Sequence, residues 1–118
     1  MDDTMDAQGT AIVGAGVVVL LLLLYESFVS PTILGYEAFS LALWVFAFTF
    51  VAVALLHGAY GRGDLATAHG AAAIGWFLIL LGSTAVQVAL GLLVLLGAGA
   101  YIAFVTIRER REDASAPS

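Results

Sequence analysis

The sequence predicts an all-α fold, a transmembrane four-helix bundle of antiparallel up-down hairpins, and three observations carry that prediction. Of 118 residues, 62% are hydrophobic and 11% charged, whereas a soluble domain holds about 45–50% apolar and about 25% charged residues. Such a chain cannot cover a water-facing surface with polar groups. Apart from Glu26 and Glu37, its charges gather near the ends and at Arg62 and Asp64, and residues 65–107 contain neither Asp, Glu, Lys nor Arg. The length leaves room for roughly four spans of about 20 residues with short connections, so the whole chain reads as a single membrane domain.

Span one is expected over residues 11–29, centred on the run Val17-Val18-Val19-Leu20-Leu21-Leu22-Leu23-Leu24. Residues 1–9 form an acidic tail. Asp2, Asp3 and Asp6 stand where a secretory leader carries basic residues, so the segment is expected to be a retained helix with Thr10 as its N-cap. Ser30-Pro31 ends the helix, because the proline ring removes a donor and pushes the preceding residue out of the α region. A loop to Tyr36 follows, and span two covers residues 37–58, with Glu37 at a helix start where negative charge is favoured. Gly58, Gly61 and Gly63 with Arg62 and Asp64 spell a tight turn, after which Asp64 is the expected N-cap of span three.

The uncharged stretch 65–107 would be roughly 64 Å long as one straight helix, twice the thickness of a hydrocarbon core. It must therefore reverse inside. Its polar cluster is Gly82-Ser83-Thr84 with Gln87, where Thr84 and Gln87 match a capping box. Span three is placed at 65–82 and span four at 85–107. Residues 108–118 form a charged tail that anchors span four, with disorder expected from Ala114 onward. A distant duplication relating spans one and two to three and four is conceivable, but no internal repeat stands out.

Four spans put both termini and the 58–64 turn on one side, together with Arg62, Arg108, Arg110 and Arg111, which are all of the basic residues. The positive-inside rule makes that side cytoplasmic in a cell-membrane protein. Glu26 and Glu37 then face outward. Nine acidic residues against four arginines give a net charge of −5, which excludes nucleic acid as a partner. Cysteine is absent, which removes disulfides and thiolate chemistry. The lack of lysine and the acidic termini resemble the composition of membrane proteins from extreme halophiles.

Few residues point to chemistry. His57 and His69 fall at similar depth in the second and third spans, as ligands of a metal or a haem iron, as a proton relay, or as interfacial histidines bonded to water, carbonyls or Thr67. Two imidazoles do not complete a zinc site, and Asp64 is the one carboxylate nearby. No resident cofactor or metal is expected, with His57 and His69 the candidate ligands. Glu26 and Glu37 could ring a pore entrance in an oligomer. No phosphate loop, nucleophile elbow, metalloprotease pair or EF-hand loop is present.

Small residues are more telling. Ala68, Ala71, Ala72 and Gly75 on span three, and Gly91, Gly97, Ala98, Gly99 and Ala103 on span four, form small-xxx-small ladders. In lipid such ladders let backbones approach and so hold helices together. The hairpin of spans three and four is the expected seam. Span two is bulky instead, with Phe39, Trp44, Phe46, Phe48 and Phe50, and its rings should interlock with smooth neighbours rather than hold a pigment or quinone. Tyr25, Tyr36 and Tyr60 fall at interfaces.

The expected function is a non-enzymatic accessory or oligomeric packing subunit, partnered by the lipid bilayer and by copies of itself or a larger membrane complex. The alternative is a small transporter or channel. In size and span number the chain is similar to the small multidrug exporters and fluoride channels, although span one lacks the central glutamate of those exporters. A polar path lined by His57, His69 or Glu26 would favour transport, and a solid apolar interior would favour packing.

Overall fold

The computed structural model describes residues 3–115 and the side chains from Asp6 onward. The outermost ends of the expected acidic and charged tails, residues 1–2 and 116–118, lie outside the described residues. The architecture is an all-α bundle of four helices: α1 (Asp3–Phe28), α2 (Ala38–Ala59), α3 (Gly63–Leu80) and α4 (Ala85–Ser115). Each is long and apolar enough to cross a bilayer.

Three helix boundaries differ from the sequence-based expectation. Helix α1 starts well before Thr10, which does not cap it. The Thr10 hydroxyl instead donates back to the Asp6 carbonyl at 3.0 Å inside the helix. No proline stands between Asp3 and Thr10 to stop the helix, and an acidic residue such as Asp6 is favoured in an N-terminal turn. Asp64 does not cap α3 either: Arg62 occupies the N-cap position and no side chain completes the cap. At the other end, α4 passes the expected stop at 107 and continues through the arginines to Ser115. Arg108 lies over the Phe104 ring at 5.6 Å and within 3.9 Å of Glu112, one turn on. Contacts at that spacing support a helix outside lipid.

The first connection holds a small feature that a loop reading misses. Thr32–Ile33 (β1) pairs antiparallel with Tyr36–Glu37 (β2), in the register Thr32 to Glu37 and Ile33 to Tyr36. Leu34 and Gly35, at φ +52° and +86°, form the kind of two-residue turn whose twist suits a hairpin. Asparagine is the usual first residue there, so Leu34 hides the signal. The turn before α3 uses Gly61 at φ +83°, and the Arg62 amide donates to the His57 carbonyl at 2.8 Å.

Between α3 and α4 the capping box is half formed. The Gln87 amide donates to Thr84 Oγ1 at 3.1 Å, but the Gln87 side chain does not return the favour. Its Nε2 lies 3.4 Å from the Leu78 carbonyl, near the end of α3 where carbonyls lack helical partners. Gly82 is required here, because a Cβ would lie 2.6 Å from Val88 Cγ2 and 2.8 Å from the Leu78 carbonyl oxygen.

The helices pack in chain order, α1 on α2, α2 on α3 and α3 on α4. The core is made of small residues: Ala38, Ala42, Ala47, Ala68, Ala72, Ala73 and Ala98 with Val53, Leu65 and Val105. At the α3–α4 crossing, a Cβ on Gly75 would lie 2.8 Å from the Gly91 oxygen, and one on Gly91 would lie 2.8 Å from the Gly75 oxygen. Here the two backbones touch. Helix α1 has no buried residue among those described.

Candidate functional site

The polar side chains converge at one end of the bundle. There the C-terminal turn of α2, the start of α3, the charged half of α4 and Gln8 of α1 enclose a pocket of about 570 Å³. Its walls include His57, Tyr60, Arg62, His69, Thr106, Glu109, Arg110 and Asp113, over an apolar floor of Leu65 and Ile102.

His57 and His69 meet there. Both are buried, and their rings stack with centroids 4.9 Å apart and planes 21° from parallel. The antiparallel α2–α3 hairpin puts them at the same depth, because each lies a few residues from the same tight turn. Phe50 tilts against His69 with centroids 6.1 Å apart. His69 Nδ1 is 2.8 Å from the Leu65 carbonyl oxygen. A carbonyl only accepts, so Nδ1 carries the hydrogen and the neutral ring keeps its lone pair on Nε2.

Arg62 ties this end together. Its Nη2 donates to Glu109 of α4 at 2.7 Å, and Nε and Nη2 each lie 3.2 Å from Asp64. The Tyr101 hydroxyl donates to the same Asp64 carboxylate at 3.3 Å. Hydrogen bonds to Asp64 and then Glu109 push the Arg62 guanidinium still further above its ordinary value. Asp64 is thus an ion-pair partner, where the sequence implied a cap.

The seam residues separate into two groups. Ala68, Ala72, Gly75 and Gly91 are buried, and Ala71 is half-buried. Gly99 and Ala103 are exposed, with nothing within 4 Å of a Cβ built on Gly97 or Gly99. The aromatic residues of α2 meet rings of α3: Trp44 and Phe48 pack on Phe77 at 5.8 and 5.6 Å, and Phe46 stacks on Trp76 at 6.3 Å. Trp76 Nε1 is buried without an acceptor among the described residues. Glu26 and Glu37 lie at the opposite end and do not enter the pocket.

The sequence reading singled out the histidines but not Gln8, Thr106, Glu109, Arg110 or Asp113 as their companions. A signal was present: Ile102, Thr106, Glu109, Arg110 and Asp113 recur at three- and four-residue steps, as one helix face does. Ending span four at 107 cut that face in two. Among the described residues no group of three or more His, Asp or Glu forms a metal-holding cluster. Comparisons of the chain with protein-family models, curated proteins and solved structures find no match.

Proposed function

We propose that this chain is a non-enzymatic, multi-pass subunit of the cell membrane, with both termini cytoplasmic, that works by helix packing as a homo-oligomer or an accessory component of a larger complex. The observation that supports this most is the outward stripe of Gly99 and Ala103 on α4, left open by the chain's own helices. Open small-residue stripes in lipid offer close backbone approach to another helix. Helix α1, in which no described residue is buried, presents a second open face, here of larger aliphatic residues. The clustering of Arg62, Arg108, Arg110 and Arg111 on one side supports the orientation.

The transport reading draws on the end pocket, which both histidines line. Beyond them, however, the buried interior is filled by Val53, Ala47, Ala72 and Ala73. That apolar filling favours packing over a path. The test is native mass measurement in mild detergent. The wild type should appear as an oligomer or with bound partner chains, and Gly99→Leu should release monomers of undiminished helicity. A wild type that is monomeric and free of partners in several mild detergents and in nanodiscs would end the proposal.

A further inference from the structure

We propose that the end pocket binds a zwitterion of the phosphoethanolamine type, its oxyanion at Arg110 and its primary ammonium at Asp113, either as the headgroup of an aminophospholipid or as the free compound. This site does not depend on how the chain assembles.

Charge selects the class of ligand. Arg62, Arg110, Glu109 and Asp113 all line the pocket, so the formal charges of its walls cancel, but these groups are not equally engaged. Arg62 is spent on Glu109 at 2.7 Å and Asp64 at 3.2 Å. Arg110 and Asp113 have no hydrogen-bond or ion-pair partner among the described residues. They stand three residues apart on α4, a spacing that puts Cβ atoms about 5–6 Å apart on one face, and they do not pair with each other. A lone anion at Arg110 would meet the charge of Asp113, and a lone cation at Asp113 would meet that of Arg110. A ligand carrying both charges across a two-carbon bridge satisfies both with charge-assisted hydrogen bonds. The ammonium must be primary, because Asp113 accepts from N–H groups. Quaternary ammonium is instead recognised by a cage of aromatic rings, and Tyr60 is the one benzenoid ring in these walls.

Depth supplies the second argument. From Ile102 to Asp113 the α4 wall runs about 16 Å, and its chemistry changes along the way: Arg110 and Asp113 at the mouth, Thr106 below them, and Ile102 with Leu65 at the floor. Headgroup, ester region and acyl chain follow the same order in a phospholipid. The polar groups of the lower wall are open to a ligand. Thr49 and Thr67 return their hydroxyls to the carbonyl four residues before, whereas Thr106 makes no such bond among the described residues. His69 is only 7% exposed, and with its Nδ1 on the Leu65 carbonyl, Nε2 is left as an acceptor that is not sealed from the pocket. Thr106 can donate to an ester or phosphate oxygen, and His69 can accept from a bridging water. The volume, about 570 Å³, falls within the range of small-ligand sites.

The experiment is native mass measurement of the full-length chain released from nanodiscs holding phosphatidylcholine, phosphatidylethanolamine and phosphatidylglycerol in equal amounts, with calorimetric titration of free phosphoethanolamine alongside. The expected result is one phosphatidylethanolamine retained per chain in preference to the other two lipids. Arg110→Gln and Asp113→Asn should each weaken retention about tenfold, the loss of one hydrogen bond to a charged group. Both residues are exposed, so helicity should not change. Arg108→Gln, outside the pocket, should leave retention as it was. Saturable binding of free phosphoethanolamine with the same sensitivity to the variants would show that the headgroup suffices, and retention of the lipid alone would give the acyl chain a share; either result upholds the site. Should a variant lose helicity, the preference of the wild type decides by itself. Equal retention of the three lipids together with no binding of the free compound, or binding unchanged in the Arg110→Gln/Asp113→Asn double variant, would overturn the proposal.

Discussion

The two hairpins of this chain are built on opposite principles. In α3–α4, glycine faces glycine and the backbones touch at Gly75 and Gly91. In α1–α2, the facing residues include Val18, Leu22, Leu41, Trp44 and Phe48, and they leave an open groove of about 580 Å³. The α1–α2 contact carries the bulkier apolar side chains and yet is the looser. In water that would be paradoxical. In lipid, burying apolar surface gains little, and what holds helices together is the number of atoms brought into van der Waals contact. Small residues maximise that number, whereas bulky ones hold the axes apart and let acyl chains fill the gaps.

If that contrast is correct, the hairpins should respond differently to change, and the largest effect belongs at the glycine crossing. Gly91→Leu should open α3–α4 and cost more than about 3 kcal/mol, the upper end of ordinary overpacking. Its Cβ would meet backbone, which cannot rotate away. The gain from replacing a helical glycine, at most about 1 kcal/mol, is too small to offset this. Unfolding in mixed micelles with SDS, followed by circular dichroism, measures the difference. A near-neutral result would break the comparison.

The connections sharpen it. Thr84→Ala removes the hydroxyl that accepts from the Gln87 amide and should destabilise the α3–α4 hairpin by about 1 kcal/mol. Leu34→Asn should act in the opposite direction. Leu34 is 94% exposed at φ +52°, so its side chain supports nothing while its backbone is strained. Asparagine tolerates that conformation and should stabilise the α1–α2 connection by up to about 1 kcal/mol. The same unfolding assay reads both signs.

The smallest effect is expected in the groove. Leu22→Ala removes a wall residue from an opening that lipid can refill, so the loss should stay below about 1 kcal/mol, against about 2–5 kcal/mol for a leucine truncated in a closed core. A loss within that larger range would mean that α1 is as firmly seated as α4.

Much of this molecule was legible in its residues. Composition and the uncharged stretch 65–107 dictate four apolar helices, because in lipid only helices and closed barrels satisfy the backbone and these continuous apolar runs lack the apolar–polar alternation of barrel strands. The turns at Gly61 and Gly82, the Thr84 cap and the glycine crossing follow from residue types that suit those conformations. The true ends of α1 and α4 did not follow, since hydropathy marks where lipid begins and ends but not where a helix does. Nor did the Leu34 turn, where hairpin pairing overrides a residue's own preference.

The site divides in the same way. That His57 and His69 lie at one depth comes from counting residues either side of a tight turn. That their rings stack at 4.9 Å, that Arg62 reaches Glu109 across 47 residues, and that Gly99 stays open while Gly91 is sealed were decided only by tertiary structure. Helical periodicity fixes which residues share a face, but packing alone selects the faces that meet. In a membrane every face of these helices is apolar, so hydrophobicity cannot make that selection, and the shapes of the neighbouring side chains do.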